Sequence, residues 1–501
     1  MKVFIFYIGT PTPIFETELE LIRKHDKSGD TVRVLQCAGN LANCHWNQRH
    51  MNSYCSRCRS KFKNGWHILN AGVNVELKQF PADKLSSSDL PLVFNSVDNI
   101  KQYRYDSENI GMGAASSLIS ILRDHRFDTH TYRKEVRREL TTAVQAYRTL
   151  KREFEEFKPD RVYVFNGRIT THLPAILLCR RMHIGYFSYE VGGAPNSYSL
   201  LENASTHSIH AIREEMDMLW SAGGVERKKK ARLVFEQKRA GVEREKMRSF
   251  TKHQVKNLLP KGFDKDKKNI SIFNSTIDEY AAIEGWENSL YMPDETAGVR
   301  KILESFESDD RYMFYLRVHP HMKEVPGTIS QLKDIRELSS RFSNLCVIWP
   351  EDVIDSYALM DACEKVITFG STMGIEAAYW GKPSILAGHA TYEHFDCIYV
   401  PKTHEELLKL LKEDLMPLPA DLTLKYGFWE VSRQGVPFEC FKETGFKNGL
   451  ATGTFGGVEL GPDALPELWY KVCLFLWRLR RVVMKPSLIL RKLKKYAKTI
   501  Y

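Results

Sequence analysis

Residues 365–388, KVITFGSTMGIEAAYWGKPSILAG, constrain the fold more than any other stretch. Val366 to Phe369 have the character of a short buried strand, Gly370-Ser371-Thr372 of a tight turn with a cap, Gly374 to Trp380 of a helix, and Pro383 to Ala387 of the next strand. The turn offers hydroxyls and free backbone N–H groups at a helix N-terminus, where an anionic group such as a phosphate is favoured. Glu376 lies about one turn into that helix, within reach of a ribose or base held over the same loop. An ordinary capped αβ turn is the plain alternative.

The flanking sequence extends this unit into a sheet. Asn269 to Phe273, Tyr312 to Val318 and Val347 to Trp349 read as strands, with helices at Ile277 to Ile283 and Val353 to Cys363. A further strand is expected at Tyr392 to Pro401 and an amphipathic helix at Thr403 to Asp414. Three strand ends then point one way: Asn274-Ser275-Thr276, Arg317-Val318-His319-Pro320, and Ser371-Thr372. Pro320 fixes the backbone where its strand stops and so holds the His319 ring. An imidazole there can donate to a phosphate.

The N-terminal half opens with the same grammar. Lys2 to Ile8, a break at Gly9 to Pro13, a helix near Ile14 to His25 and a strand at Thr31 to Gln36 make a βαβ start, with its functional edge around Gly9 to Thr12, Thr10 included. Arg161 to Phe165 and Ile184 to Tyr189 are further strands, delivering Asn166 and Arg168 at one tip and Glu190 at the other. Arg168 is suited to clamp an anionic or hydroxyl-rich group. Glu190 is either a functional carboxylate or one half of a strand-end ion pair. The glycine-rich Gly111 to Ser116 reads as a packing turn, and the charged segments His130 to Phe157 and Ser208 to Val255 as solvated helices, the latter over the N-terminal sheet. Lys256 to Lys268 reads as an inter-domain linker.

Cys37, Cys44, Cys55 and Cys58 follow the pattern C-x6-C-x10-C-x2-C within a polar stretch. Four thiols in a segment with little apolar content suit a structural zinc site, ahead of an iron–sulfur cluster; four scattered thiols in a long loop are the alternative. The net charge of +10 is carried by the last residues: Lys471 to Tyr501 hold ten cations and no acid. A nucleic-acid-binding body is therefore not supported. In the tail, Leu468 to Trp477 and Leu488 to Leu490 alternate apolar residues with cations, the pattern of an interfacial helix on anionic lipid. No apolar run has the length of a membrane span, and MKVFIFYIG is too short for a signal peptide, so a cytoplasmic location is the expectation.

GSTMGIEAAYWGKPSI resembles the donor-binding signature of GT-B glycosyltransferases, and LRVHPH resembles the His-Pro motif of bacterial capsule enzymes such as Kdo and sialyl-type transferases. The resemblance covers roughly residues 270–400 well and the N-terminal half loosely. It implies a GT-B-like α/β fold, with two Rossmann-like doubly wound domains facing a cleft: 1–258 on the acceptor side, with a Cys-rich insertion at 37–67, and 269–425 on the nucleotide-sugar side. A crossover segment, 426–466, and the basic amphipathic tail, 467–501, follow.

The activity it implies is a metal-independent, inverting transfer of sugar from a nucleotide-sugar to a glycan or lipid-linked acceptor in capsule or surface polysaccharide synthesis, at the inner face of the cytoplasmic membrane. CMP-sugar is slightly favoured and UDP-sugar is compatible. Ser275, Thr276, Arg317, His319, Pro320, Ser371, Thr372 and Glu376 would hold the donor, with Thr10, Asn166 and Arg168 on the acceptor. His319 would stabilise the leaving group and Glu190 would act as base. In the family the base belongs to an acidic pair followed by Gly; here the matching place reads Tyr189-Glu190-Val191-Gly192. A nucleotide-sugar 2-epimerase and a non-catalytic scaffold of a capsule complex compete with this reading.

Overall fold

The computed structural model describes the chain except residues 10, 83–84, 86–89, 91–92, 244–248, 287–288, 293, 434, 448–449 and 484–501. By compactness it divides into two units. One comprises Met1–Lys84, Glu156–Arg161 and Phe438–Tyr501; the other comprises Leu85–Glu155 and Val162–Pro437. This division does not follow the expected one of 1–258 and 269–425. Its reason lies in the helices Ile209–Ala222 and Arg227–Arg239, which pack on the helix Thr423–Ser432 within the second unit.

In the first unit, Lys2–Tyr7, Thr31–Gln36 and Val75–Gln79 form three parallel strands. The helix Ile14–Lys27 buries Phe15, Leu19 and Ile22. The stretch expected to be a cysteine-rich loop is helical in its second half, Asn52–Leu69, which carries Cys55 and Cys58. A small antiparallel sheet, Phe441–Lys447, Leu450–Phe455 and Val458–Glu459, precedes the helix Ala464–Val483.

The second unit holds the sheet that positions the site. Five parallel strands lie in the order Ser384–Leu386, Lys365–Thr368, Lys268–Phe273, Tyr312–Arg317, Leu345–Ile348. Buried on both faces, they read as apolar runs rather than alternations, as parallel strands do. In their register Thr368 pairs with Phe273, and Phe273 with Arg317, so three neighbouring strands end level. The same unit contains Gly185–Val191 and Ser197–Glu202, paired antiparallel, and the short Val436–Pro437 beside the latter.

Several sequence expectations change here. Tyr392 to Pro401 forms no strand; only a bridge between Ile385 and Tyr399 marks it. Ile277 to Ile283 shortens to the 3-10 turn Ile277–Glu279, whose first N–H is capped by Gln331 and whose following Tyr280 hydroxyl donates to Glu295. Gly111 to Ser116 is not a turn but the start of the helix Gly111–Leu122; a Cβ at Gly111 would stand 2.0 Å from the Ile100 carbonyl oxygen, so close packing requires the glycine. The segment 208–255 is only partly solvated: Ala231, Val234 and Phe235 are buried, and Phe235 stacks on Tyr379 at 4.1 Å. The expected linker is tied down, with Val255 N–H on the Val353 carbonyl and Asp355 N–H on the Leu258 carbonyl.

Candidate active site

The level strand ends open into a cavity of about 280 Å³ within the second unit. Asn274, Arg317, His319, Pro320, Ser371, Thr372 and Glu376 all line it. Ser275 and Thr276 do not. Ser275 turns its N–H to Glu295, and Thr276 is 2 % exposed, so the polar group this strand supplies is Asn274. Asn274 Oδ1 accepts the His319 N–H at 2.8 Å, which joins two of the three strand ends directly.

His319 Nδ1 accepts from the His321 N–H at 3.3 Å, and Phe250 meets the imidazole edge-on at 5.1 Å. Burial pushes the His319 pKa down to about 4, against the opposing pull of Glu279, so the ring is neutral at pH 7. With Nδ1 accepting, Nε2 carries the proton. Arg317 is 3 % exposed and spends its terminal nitrogens on the Trp349 and Asp352 carbonyls. Its Nε has no hydrogen-bond partner among the described residues.

Glu376 is 4 % exposed and is held from three sides. Thr372 Oγ1 donates to Oε1 at 2.8 Å, the Tyr357 hydroxyl donates to Oε2, and Lys238 Nζ stands 3.5 Å from Oε1. Lys238 also pairs with Glu430 at 3.1 Å. Burial opposes the lysine charge, but Glu376 and Glu430 outweigh it and hold its pKa above the ordinary lysine value.

Lys238, Phe250, Gln254, Tyr357 and Glu430 therefore belong to the cavity although sequence reading passed them over. One signal existed. Ala231, Val234, Phe235 and Lys238 fall at helical spacing, so the lysine sits on the buried stripe of its helix.

A second cavity of about 590 Å³ in the same unit is lined by Arg168, Arg180, Asn203, His207 and Trp286, among others, over an apolar floor that includes Leu173 and Ile176. Asn166 has φ +56° and Gly167 +83°, so the chain turns sharply at the strand end. Asn166 Nδ2 donates to Glu190 Oε2 at 2.8 Å and lies 3.2 Å from His207 Nε2. Burial raises the Glu190 pKa, opposed by the bond from Asn166. Glu190 itself is not among the residues lining either cavity. Thr10 lies outside the described residues.

One turn links Arg168 of the second cavity to the His-Pro segment of the first. Arg168 Nη1 donates to the Glu279 carbonyl at 2.5 Å, while the Glu279 carboxylate stands 3.7 Å from His321, two residues after His319. Beside them Asp278, buried and 2.8 Å from Arg123, has its pKa raised to about 6, chiefly by burial.

The four cysteines of the first unit all line a third cavity, of about 230 Å³. Among the described residues no group of three or more His, Cys, Asp or Glu side chains is arranged to hold a metal ion.

Residues 287–396 match the family model described as capsule polysaccharide biosynthesis protein. The matched residues include His319, Ser371, Thr372 and Glu376 and supply half of the first cavity's lining. No curated protein matches the chain. Among solved structures, it is similar to the KpsC beta Kdo 2,4 transferase of Thermosulfurimonas dismutans, at 15% identity over 53% of this chain and 78% of that one, with a TM-score of 0.33. It is also similar to the UDP-GlcNAc 2-epimerase of Neisseria meningitidis, at 12% identity over 87% and 96%, TM-score 0.24. The Methanocaldococcus jannaschii UDP-GlcNAc 2-epimerase gives 13% identity over 86% and 98%, TM-score 0.27.

Proposed function

We propose that the chain is a glycosyltransferase of capsule or surface polysaccharide synthesis, taking sugar from a nucleotide-sugar held in the first cavity. The observation that carries this reading is the convergence of Asn274, His319 and Ser371-Thr372 from three level strand ends on one cavity, with His319, Ser371 and Thr372 among the residues that match the capsule family model. The nucleotide phosphate meets the Ser371 hydroxyl, the His319 Nε2–H and the Arg317 Nε, which has no partner among the described residues. A ribose hydroxyl that reaches Glu376 exchanges with Lys238, whose contact is the longest of the three. CMP fits this arrangement, and UDP is compatible with it.

In this reading the acceptor sugar occupies the second cavity, whose apolar floor, Trp286 ring and mixed polar rim suit a hydroxyl-rich ring. Transfer with inversion needs a base on the acceptor hydroxyl and stabilisation of the departing phosphate. Glu190 lines neither cavity but bonds to Asn166, which stands 3.2 Å from the His207 that lines the second; with its raised pKa it is our choice of base, reached by the acceptor hydroxyl past that histidine. His319 donates to the departing phosphate as a neutral imidazole, and no step calls on a metal. The test is transfer of radiolabelled sugar from CMP- and UDP-sugars to a capsule-glycan primer. Wild type should transfer, Glu190→Gln and His319→Ala should lose at least ~100-fold, and donor turnover without any acceptor would favour an epimerase instead.

We further propose peripheral binding to the anionic inner face of the cytoplasmic membrane. The helix Ala464–Val483 packs on Asn52–Leu69 through Tyr470 against Tyr54 and Arg57 over Tyr470. Its other side leaves Leu468 59 %, Phe475 61 % and Leu476 57 % exposed. No helix among the described residues is long and apolar enough to cross a membrane. An exposed apolar stripe followed by a run of cations suits insertion at the headgroup level.

A further inference from the structure

The strand Ser384–Leu386 forms one edge of the five-stranded sheet, and its end has no role in the activity proposed above. Leu386 pairs with Thr368, so this strand ends level with its neighbours and delivers Gly388-His389-Ala390 beside the Ser371 turn. The approach is close. A Cβ on Gly388 would stand 1.9 Å from the Phe369 carbonyl oxygen, and one on Gly370 3.0 Å from the His389 carbonyl oxygen. The Tyr392 hydroxyl donates to the Ser371 carbonyl and fastens the same loop to the same turn.

His389 is held by Glu393. Its Nδ1 lies 2.7 Å from Glu393 Oε2, and the Ala390 N–H donates to that oxygen at 3.2 Å. A carboxylate accepts and does not donate, so Nδ1 carries the proton and Nε2 keeps its lone pair in the neutral ring. Nε2 is shielded from solvent and has no hydrogen-bond partner among the described residues. A buried acceptor left unpaired costs free energy, which a donor from outside the chain recovers.

The neighbourhood selects that donor. The Trp286 ring meets the imidazole edge-on at 6.4 Å, and Trp286 also lines the second cavity, with its Nε1 donating to the His207 carbonyl at 2.9 Å. One short loop therefore touches both the turn assigned to the donor phosphate and the tryptophan of the acceptor cavity. An aromatic ring beside a single uncharged acceptor suits a sugar, which brings C–H groups to the one and a hydroxyl to the other. We propose that His389 and Glu393 form the subsite for the sugar being transferred: Nε2 accepts a hydrogen bond from one of its hydroxyls, and the Trp286 ring moves aside to pack on it. This assignment rests on the donor reading given above. Glu393 is a positioning residue, because it fixes the tautomer of His389 and acts through that ring.

The test is ligand titration of the full chain, comparing CMP with CMP-N-acetylneuraminate and UDP with UDP-glucose and UDP-N-acetylglucosamine. Wild type should bind at least one conjugate more tightly than its parent nucleotide. His389→Phe and Glu393→Gln should bind the parent nucleotide as wild type does and lose ~10-fold in affinity for that conjugate. Should His389→Phe fail to fold, Glu393→Gln, which keeps the side-chain volume, carries the test. A conjugate advantage undiminished in Glu393→Gln, equal loss of nucleotide and conjugate in both variants, or no conjugate bound better than its nucleotide would overturn the subsite and leave the donor reading standing. Absence of binding by every nucleotide and conjugate would overturn both.

Discussion

Lys238 Nζ stands 3.1 Å from Glu430 and 3.5 Å from Glu376, so one half-buried cation bridges two buried carboxylates from separate helices. The side chains of Glu376 and Glu430 are only 5 % and 4 % exposed. Removing one member of such a cluster leaves charge uncompensated in low dielectric. Lys238→Met should destabilise the chain by about 3–5 kcal/mol, and adding Glu430→Gln should recover part of the loss. Thermal midpoints of the three proteins check this; equal midpoints for wild type and Lys238→Met would remove the cluster from the account of stability.

Gly374 is fixed by space, not by backbone angle. A Cβ there would meet the Tyr392 hydroxyl at 2.5 Å and Thr368 Oγ1 at 2.6 Å. Gly374→Ala should cost about 1–3 kcal/mol and weaken any ligand held by Ser371 and Thr372, since overpacking displaces the turn. Denaturation of the variant, with nucleotide titration beside it, reads both effects.

His125, His207 and His319 all have pKa values lowered to about 4, chiefly by burial. In the unfolded chain a histidine titrates near ~6.5. The folded state therefore resists protonation, and its stability from these groups is fully present above about pH 6.5 and falls as pH drops from there towards about 4. Replacing His319 with Gln should flatten that acid limb in a series of melting curves. A His319 that instead raised stability on acidification would have a charged partner that the geometry does not contain.

The exposed stripe on Ala464–Val483 gives a binding prediction. The full chain should float with vesicles containing phosphatidylglycerol, should not float with pure phosphatidylcholine, and should be released by salt. Leu468→Glu with Phe475→Glu should abolish flotation. Equal binding to both vesicle types would contradict a role for the basic tail.

Much of the first cavity is legible in the sequence, because parallel strands advertise themselves as apolar runs and place polar residues at their ends. His319, Ser371, Thr372 and Glu376 stand out that way, and their convergence follows from register alone. What stays hidden depends on contacts distant in sequence. Glu376 is reached by Lys238 from 138 residues upstream, and nothing local to either residue announces the pair. Ser275 and Thr276 fail for the opposite reason: as neighbours of Asn274 they share its strand end, but Glu295 draws the backbone away from the cavity.

The central claim is that the cavity around His319, Ser371 and Glu376 binds the nucleotide of a sugar donor. A thermal-shift titration of wild type and His319→Ala with CMP, UDP and GDP tests it most directly, because a ligand that binds the folded state alone raises its midpoint. The account predicts that CMP or UDP raises the wild-type midpoint and that His319→Ala loses most of that rise. No shift with any nucleotide at millimolar concentration, or an undiminished shift in His319→Ala, would contradict it.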